Sequence, residues 1–469
     1  MVAHRLIGVA AIAGVAVSCV WGCSPRPRSG GPAGGGSTPG TPAPGDIRTL
    51  DPSGVYGDAG LLVSRGSLGF IGDVRYLGGG SPDSTLALVT ISLANRSLSF
   101  RADGPVQRAG YAVLVELRLA ESDSVVVRAE SRETVRVGTP RETTAIESGV
   151  VFQRFVRVAP GAYKLWLTVR DEGGVGSGSL ETALVVPRFG GGTLSSPVLV
   201  YRAEPRTDAE SLPDLIANPR ATVVFGQDSL ALVYLEGYRL PPAARVSLEV
   251  LDERQRAVLR DTVMLQWHGT LSTAVERLPI SRVGVGRLAV MASLVGSGDT
   301  VTAPLLVSFG SELGVMSFEE MLSRLRYYAS PEQVRTLSEA APEQRAAAWT
   351  KFWEESDPSP GTAGHEDLRD YFERIEVANR RFGREGSPGW LTDQGKVYVA
   401  LGEPTRVLSE GYPETGMRGS AQLWEYDSYG VRLVFVADDA AFDQWRLTPR
   451  SELDFERALA RARSHSRPH

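Results

Sequence analysis

Thiols, imidazoles and amines are scarce in this chain. Its 469 residues include two Cys, both among the first 23, and five His. That is too few for a disulfide framework or a His/Cys zinc cage, and no metal site is expected. Only Lys164, Lys351 and Lys396 carry a side-chain amine among 50 basic residues. Nearly all positive charge is therefore guanidinium, which cannot serve as a Schiff-base amine. A surplus of positive charge is lacking too: 50 basic against 55 acidic residues give a net charge of −5. This excludes a strongly basic nucleic-acid binder, since phosphate binding needs a positive field.

What is present begins with an address. His4 and Arg5 open a short basic region, and Leu6 to Ser18 follow as an uncharged apolar run. A run of this length falls short of the roughly 20 helical residues a bilayer core requires, and it fits a secretory signal. It ends at Val20-Trp21-Gly22-Cys23, with Ala16-Val17-Ser18-Cys19 as a second such box. A small residue before Cys at the end of an apolar run resembles the lipobox of bacterial lipoproteins. The resemblance implies cleavage and lipidation at Cys23, with Cys19 the alternative, and Ser24 in the next position implies the outer membrane. Ser24 to Asp46 holds 13 Gly or Pro in 23 residues and reads as a tether too apolar-poor to fold.

Residues 47–203 and 204–311 are then expected to form two β-sandwich units. Ser84 to Ala94, Gly110 to Leu119 and Ala162 to Arg170 alternate at period two. Turn-rich spacers separate them, with no helical stretch between, which points to antiparallel sheets. Ala221–Phe225, Ser229–Leu235, Arg245–Leu251 and Arg287–Leu294 continue the pattern. The turn Pro160-Gly161 resembles that of immunoglobulin-like or fibronectin-like domains. Gly284-Val-Gly286 opens a strand, so no helix N-terminus is available to make it a dinucleotide site.

Residues 312–469 read as an aromatic-rich α+β module, giving a multidomain β-then-α+β chain. Ser317-Phe-Glu-Glu320 and Ser330-Pro-Glu-Gln333 are capping boxes. Trp349, Phe352 and Trp353 share a helix face, and His365 to Phe382 carries one apolar stripe with acids early and Arg late. Pro388-Gly-Trp-Leu-Thr-Asp-Gln-Gly395 follows. Gly389 is expected to permit a sharp turn and Asp393 to form an Asx turn before Gly395. Val397, Val399 and Leu401 are expected to alternate into a strand closed by Gly402-Glu403-Pro404. Gln422–Asp427 and Gly430–Val436 form a hairpin, Asp438-Asp439 caps a short helix, and Leu453–Arg463 is a final helix.

Gly389, Trp390, Thr392 and Asp393, the trailing Gly395 and the Gly402-x-Pro404 turn together resemble the signature of the GWxTD domain, a bacterial envelope family. The resemblance implies an envelope protein and brings with it no established activity, cofactor or catalytic residue. Leu401-Gly-Glu-Pro404, Leu423-Trp-Glu-Tyr426 and Leu433-Val-Phe435 also loosely resemble small outer-membrane assembly lipoproteins whose sheet docks onto partners. The leading expectation is a membrane-anchored binding or scaffolding protein with an envelope protein or glycan as partner. Two rivals use the same residues. One is a hydrolase with Asp393 and Glu403 as its carboxylate pair. The other is a carbohydrate binder using Trp390 or Trp424 as exposed platforms.

Overall fold

The computed structural model describes residues 52–144, 149–308, 315–358, 365–384, 387–411, 419–438 and 445–465. Cys19, Cys23 and the tether lie outside them. The first long strands are β1 (Phe70–Gly78), β2 (Thr85–Ala94), β3 (Val106–Leu119), β4 (Val125–Val137), β5 (Gly149–Val158), β6 (Gly161–Asp171) and β7 (Ser177–Val186). One sheet has the order β1-β2-β5, extended by the short strand Leu62–Val63 beside β1. A second runs β7-β6-β3, with β4 also on β3.

The next strands are β8 (Val198–Glu204), β9 (Asp214–Ala217), β10 (Leu230–Tyr238), β11 (Arg245–Leu251), β12 (Ala257–Met264), β13 (Leu271–Pro279), β14 (Gly286–Leu294) and β15 (Thr300–Ser308). They form a third sheet, β9-β8-β10-β13, and a fourth, β15-β14-β11-β12. All these long strands pair antiparallel, but the short strand Thr222–Val224 joins β15 in parallel. β8, in the stretch expected to close the first unit, pairs with β9 and β10 of the third sheet.

The sheets are layered. Ala87, Val89, Ile91 and Leu93 of β2 share a core with Val113 and Val115 of β3 and with Leu165 and Leu167 of β6. Leu86 and Leu88, on the other face of β2, pack with Val198, Val200 and Tyr234 of the third sheet. The expected in-and-out alternation of β2 is therefore replaced by burial on both faces, which explains why its sequence is apolar almost throughout. β10 is sandwiched likewise. Its Val233 and Leu235 face Val246, Leu248 and Val290 of the fourth sheet.

A buried polar clasp holds the two β units together. The side chains of Arg206 and Glu236 are 3% and 0% exposed. The Arg206 guanidinium donates to both Glu236 carboxylate oxygens at 2.8 Å and to the Gly78 carbonyl at 2.7 Å. The Tyr234 and Tyr238 hydroxyls donate to the same carboxylate at 2.5 Å. Burial raises both tyrosine pKa values, so the hydroxyls stay protonated as donors.

The C-terminal module holds helices α1 (Phe318–Arg324), α2 (Pro331–Glu339), α3 (Arg345–Ser356), α4 (Glu366–Phe382), α5 (Asp393–Leu401) and α6 (Pro449–His465). Strands β16 (Arg406–Gly411), β17 (Gly419–Tyr426), β18 (Val431–Asp438) and β19 (Trp445–Leu447) make its antiparallel sheet in that order. Both capping boxes form as expected, with Ser317 and Ser330 as caps. Asp438 is the last residue of β18, and Asp439 with the helix expected there lies outside the described residues. This module does not own a separate core: Trp349 and Phe372 belong to the same buried cluster as Val246 and Leu305 of the fourth sheet. Phe225 meets Trp349 and Trp353 with ring centroids 6.2 and 5.3 Å apart. Arg345 reaches the Asp252 carboxylate at 3.0 Å across the same boundary.

Candidate functional site

The motif around Trp390 folds as a short turn leading into a helix, and each residue has a structural task. Gly389 sits against α4: a Cβ there would lie 2.0 Å from the Ala378 carbonyl oxygen. Close approach, rather than the expected sharp turn, is what requires glycine here. Trp390 is buried, with the Arg326 guanidinium 5.1 Å over its ring and Tyr327 edge-on at 6.1 Å. Thr392 is the N-cap of α5, its hydroxyl accepting the Gly395 N–H at 3.0 Å and donating to the Gly389 carbonyl at 2.7 Å. Gly395 carries no Cβ because one would stand 1.8 Å from the Gly389 carbonyl oxygen.

The strand expected over Val397–Leu401 is instead the helix α5. Its residues 397–401 are all buried, so no polar face breaks the apolar run and its period is invisible. A short apolar run of this kind cannot be told from a strand by pattern alone. Gly402 ends the helix with φ 84°.

Asp393 does not make the expected Asx turn. Its Oδ2 accepts the Leu447 N–H of β19 at 2.7 Å. Its Oδ1 lies 3.1 Å from the Lys396 ammonium, which also binds Glu452 at 2.8 and 2.9 Å. Burial works against the charged ammonium, yet the Glu452 and Asp393 carboxylates outweigh it and raise the Lys396 pKa. Glu403 sits elsewhere: its side chain is 59% exposed and pairs with Arg381 at 2.7 Å. Pro404 follows in the turn toward β16. The two candidate carboxylates are thus engaged with different cations.

The expected aromatic platforms are closed. Trp390 is 6% and Trp424 3% exposed. Trp424 packs on Phe435 and Phe382, with centroids 4.7 and 5.9 Å apart.

One open groove of about 770 Å³ lies beside the motif. Leu391, Thr392, Asp393 and Gln394 form one wall, Phe382 and Arg384 another, and Val407, Gln422, Trp424 and Trp445 the sheet side. Gln394 donates to the Gln422 side-chain oxygen at 2.9 Å. Arg381 and Arg446 also line it, the Arg381 guanidinium being paired with the Glu403 carboxylate. Arg384 is exposed, and its backbone is fixed by reciprocal 3.0 Å bonds with Ser387. Sequence reasoning singled out Trp390, Thr392 and Asp393 but missed Arg384, Gln394, Gln422, Trp445 and Arg446. Gln394 lies inside the motif but carried no signal of its own, and the other four are too far apart in the chain to form a motif.

Residues 313–452 match the family model of the GWxTD domain. The GWxTD domain thus spans α1 to the start of α6 and includes the whole groove. No curated protein matches the chain. A solved structure of Bifidobacterium dentium beta-glucuronidase complexed with coumarin-3-O-glucuronide is similar at 9% identity and a TM-score of 0.17. The match covers 47% of this chain and 39% of that enzyme, a likeness too slight to inform fold or activity. Among the described residues, no helix is long and apolar enough to cross a membrane. Within the same residues, no group of three or more His, Cys, Asp or Glu is placed to hold a metal ion.

Proposed function

We propose that this protein is an envelope lipoprotein that binds a partner through the groove of its GWxTD domain. In this reading Cys23 carries the lipid, residues 24–46 are the tether, and the layered sheets are two immunoglobulin-like sandwiches presenting the domain. The observation that carries the binding role is the groove beside Leu391–Gln394, whose volume is in the range of ligand sites, about 300–1,000 Å³. The motif's own groups support binding over hydrolysis. The Asp393 carboxylate is occupied by the Leu447 N–H and Lys396, and Glu403 by Arg381. A general acid/base pair needs groups free to exchange protons with substrate.

Leu391 and Val407, 38% and 45% exposed, offer surface changes that leave the core intact. Crosslinking of the full chain in membranes, compared with Leu391→Asp and Val407→Asp, tests the reading. Loss of the same specific crosslinked species in both variants is expected, at unchanged protein level. Crosslinks identical to wild type in both would remove the groove from the function. Separately, Cys23→Ser should release the chain from membranes, and retention would assign the lipid to Cys19 or to neither.

A further inference from the structure

We propose that two copies of this chain form a two-fold dimer by pairing β4 edge to edge, with Ser131 on the axis. Among the described residues, β4 has a neighbour on one side only. β3 pairs with it from Gln107 opposite Val137 to Arg118 opposite Val125, and no strand takes its other side. At 13 residues it is a long edge, and Arg128, Glu130, Arg132 and Thr134 along its outer face are all exposed. An edge of this kind is a template for one more strand. The pairing with β3 shifts register at Arg118, so the regular part of the edge begins at Val127. Val127 and Val135 lie on the opposite face, against the core of the first two sheets.

Charge complementarity selects a second copy as the occupant and fixes the register. Opposed residues of an antiparallel pair turn their backbone groups the same way, so two identical strands must pivot about one residue. With Ser131 as pivot, Glu130 faces Arg132 on both sides of the axis, Arg128 faces Thr134 and Val127 faces Val135. A pivot at Glu130 would oppose Glu130 to itself and Arg128 to Arg132. A pivot at Arg132 would oppose Arg132 to itself and Arg128 to Arg136. Opposite charges directly across support a strand pair, and like charges work against it. Residues 127–135 hold two Arg and two Glu, so the copies carry no net repulsion along the edge. Existing ion pairs do not prevent this. Arg132 meets Glu172 at 3.6 Å with its side chain 75% exposed, an arrangement worth little. Arg128 stays with Glu116 at 2.6 Å, and its place opposite Thr134 asks nothing of its charge. On the inner face Arg154 of β5 donates to the Ser131 hydroxyl at 3.2 Å, and Glu133 nearby on β4 supplies the opposite charge.

Sedimentation equilibrium of the full chain in detergent tests this, and a reversible dimer is expected. Glu130→Arg and Arg132→Glu each set like charges across the gap twice, and each should weaken the dimer roughly tenfold or more. The two changes combined restore opposite charges and should recover most of the wild-type association. Both side chains are exposed, so thermal unfolding should be unchanged in all three variants. Mild oxidation of Ser131→Cys should give a crosslinked dimer in which peptide mapping finds position 131 joined to itself. Thr134→Cys should not crosslink, because its two copies would stand about 20 Å apart along the strands. A chain that stays monomeric at its highest soluble concentration would overturn the proposal. So would a dimer indifferent to both single charge reversals, a double variant no better than either, or equal crosslinking from positions 131 and 134.

Discussion

Thr392 and the two glycines that flank it show how one short motif sets a helix. The hydroxyl ties the Gly395 N–H to the Gly389 carbonyl in a closed knot. Thr392→Ala should cost about 1–2 kcal/mol, the usual loss for an N-cap, and Thr392→Ser should restore most of it. Gly389→Ala pushes a methyl into the Ala378 carbonyl, a backbone clash that should cost at least the roughly 1–3 kcal/mol of overpacking. Urea unfolding reads both. His365 supplies a different cap: its Nδ1 accepts the Leu368 N–H at 3.1 Å and its Nε2 lies 3.0 Å from the Ser356 hydroxyl. Burial lowers its pKa below 6.5, so the unfolded chain takes up the proton more readily. The stability this contributes is fully present above about pH 6.5 and is lost as pH falls through the folded value. His365→Asn keeps an acceptor at the cap and cannot titrate. Wild-type stability relative to this variant should be constant above pH 7 and fall below pH 6. A constant difference across that range would contradict the assignment.

At the scale of elements, legibility followed exposure. α4 was plain in the sequence because Leu368, Tyr371, Phe372, Ile375 and Ala378 are buried on one side only. The hairpin β17–β18 was equally plain, since its residues 427–429 form an exposed or partly exposed turn. α5 read as a strand because protein surrounds it and erases the periodic signal. The same cause hid the double burial of β2 and β10. The contact between α3 and the β layers had no signal at all, because Trp349 and Phe225 are far apart in sequence. Trp349 is fully buried there, and Trp349→Ala should cost about 3–5 kcal/mol. The groove was half legible for a related reason: one wall is the contiguous motif, and the rest comes from separate strands.

The whole molecule behaves as a continuous body from residue 52 onward because its cores are shared. A fragment of residues 312–469 would expose the surface that Trp349, Trp353 and Arg345 bury against the fourth sheet. It should fail to unfold cooperatively by calorimetry, while residues 190–469 should do so. At the other boundary, Arg206→Met would leave the Glu236 carboxylate buried without its cation. The expected loss is about 3–5 kcal/mol, less in Arg206→Met/Glu236→Gln, where the residual charge is gone.

The clasp and the two doubly buried strands also have a mechanical meaning. Four sheets stacked at about 10 Å spacing, with apolar layers between them, would pass a pull from layer to layer through buried contacts. A load applied at Leu61, which packs into the shared cluster, would move the groove with it as a lever moves its tip. Yielding would then begin with the shearing of a whole layer rather than the bending of a joint.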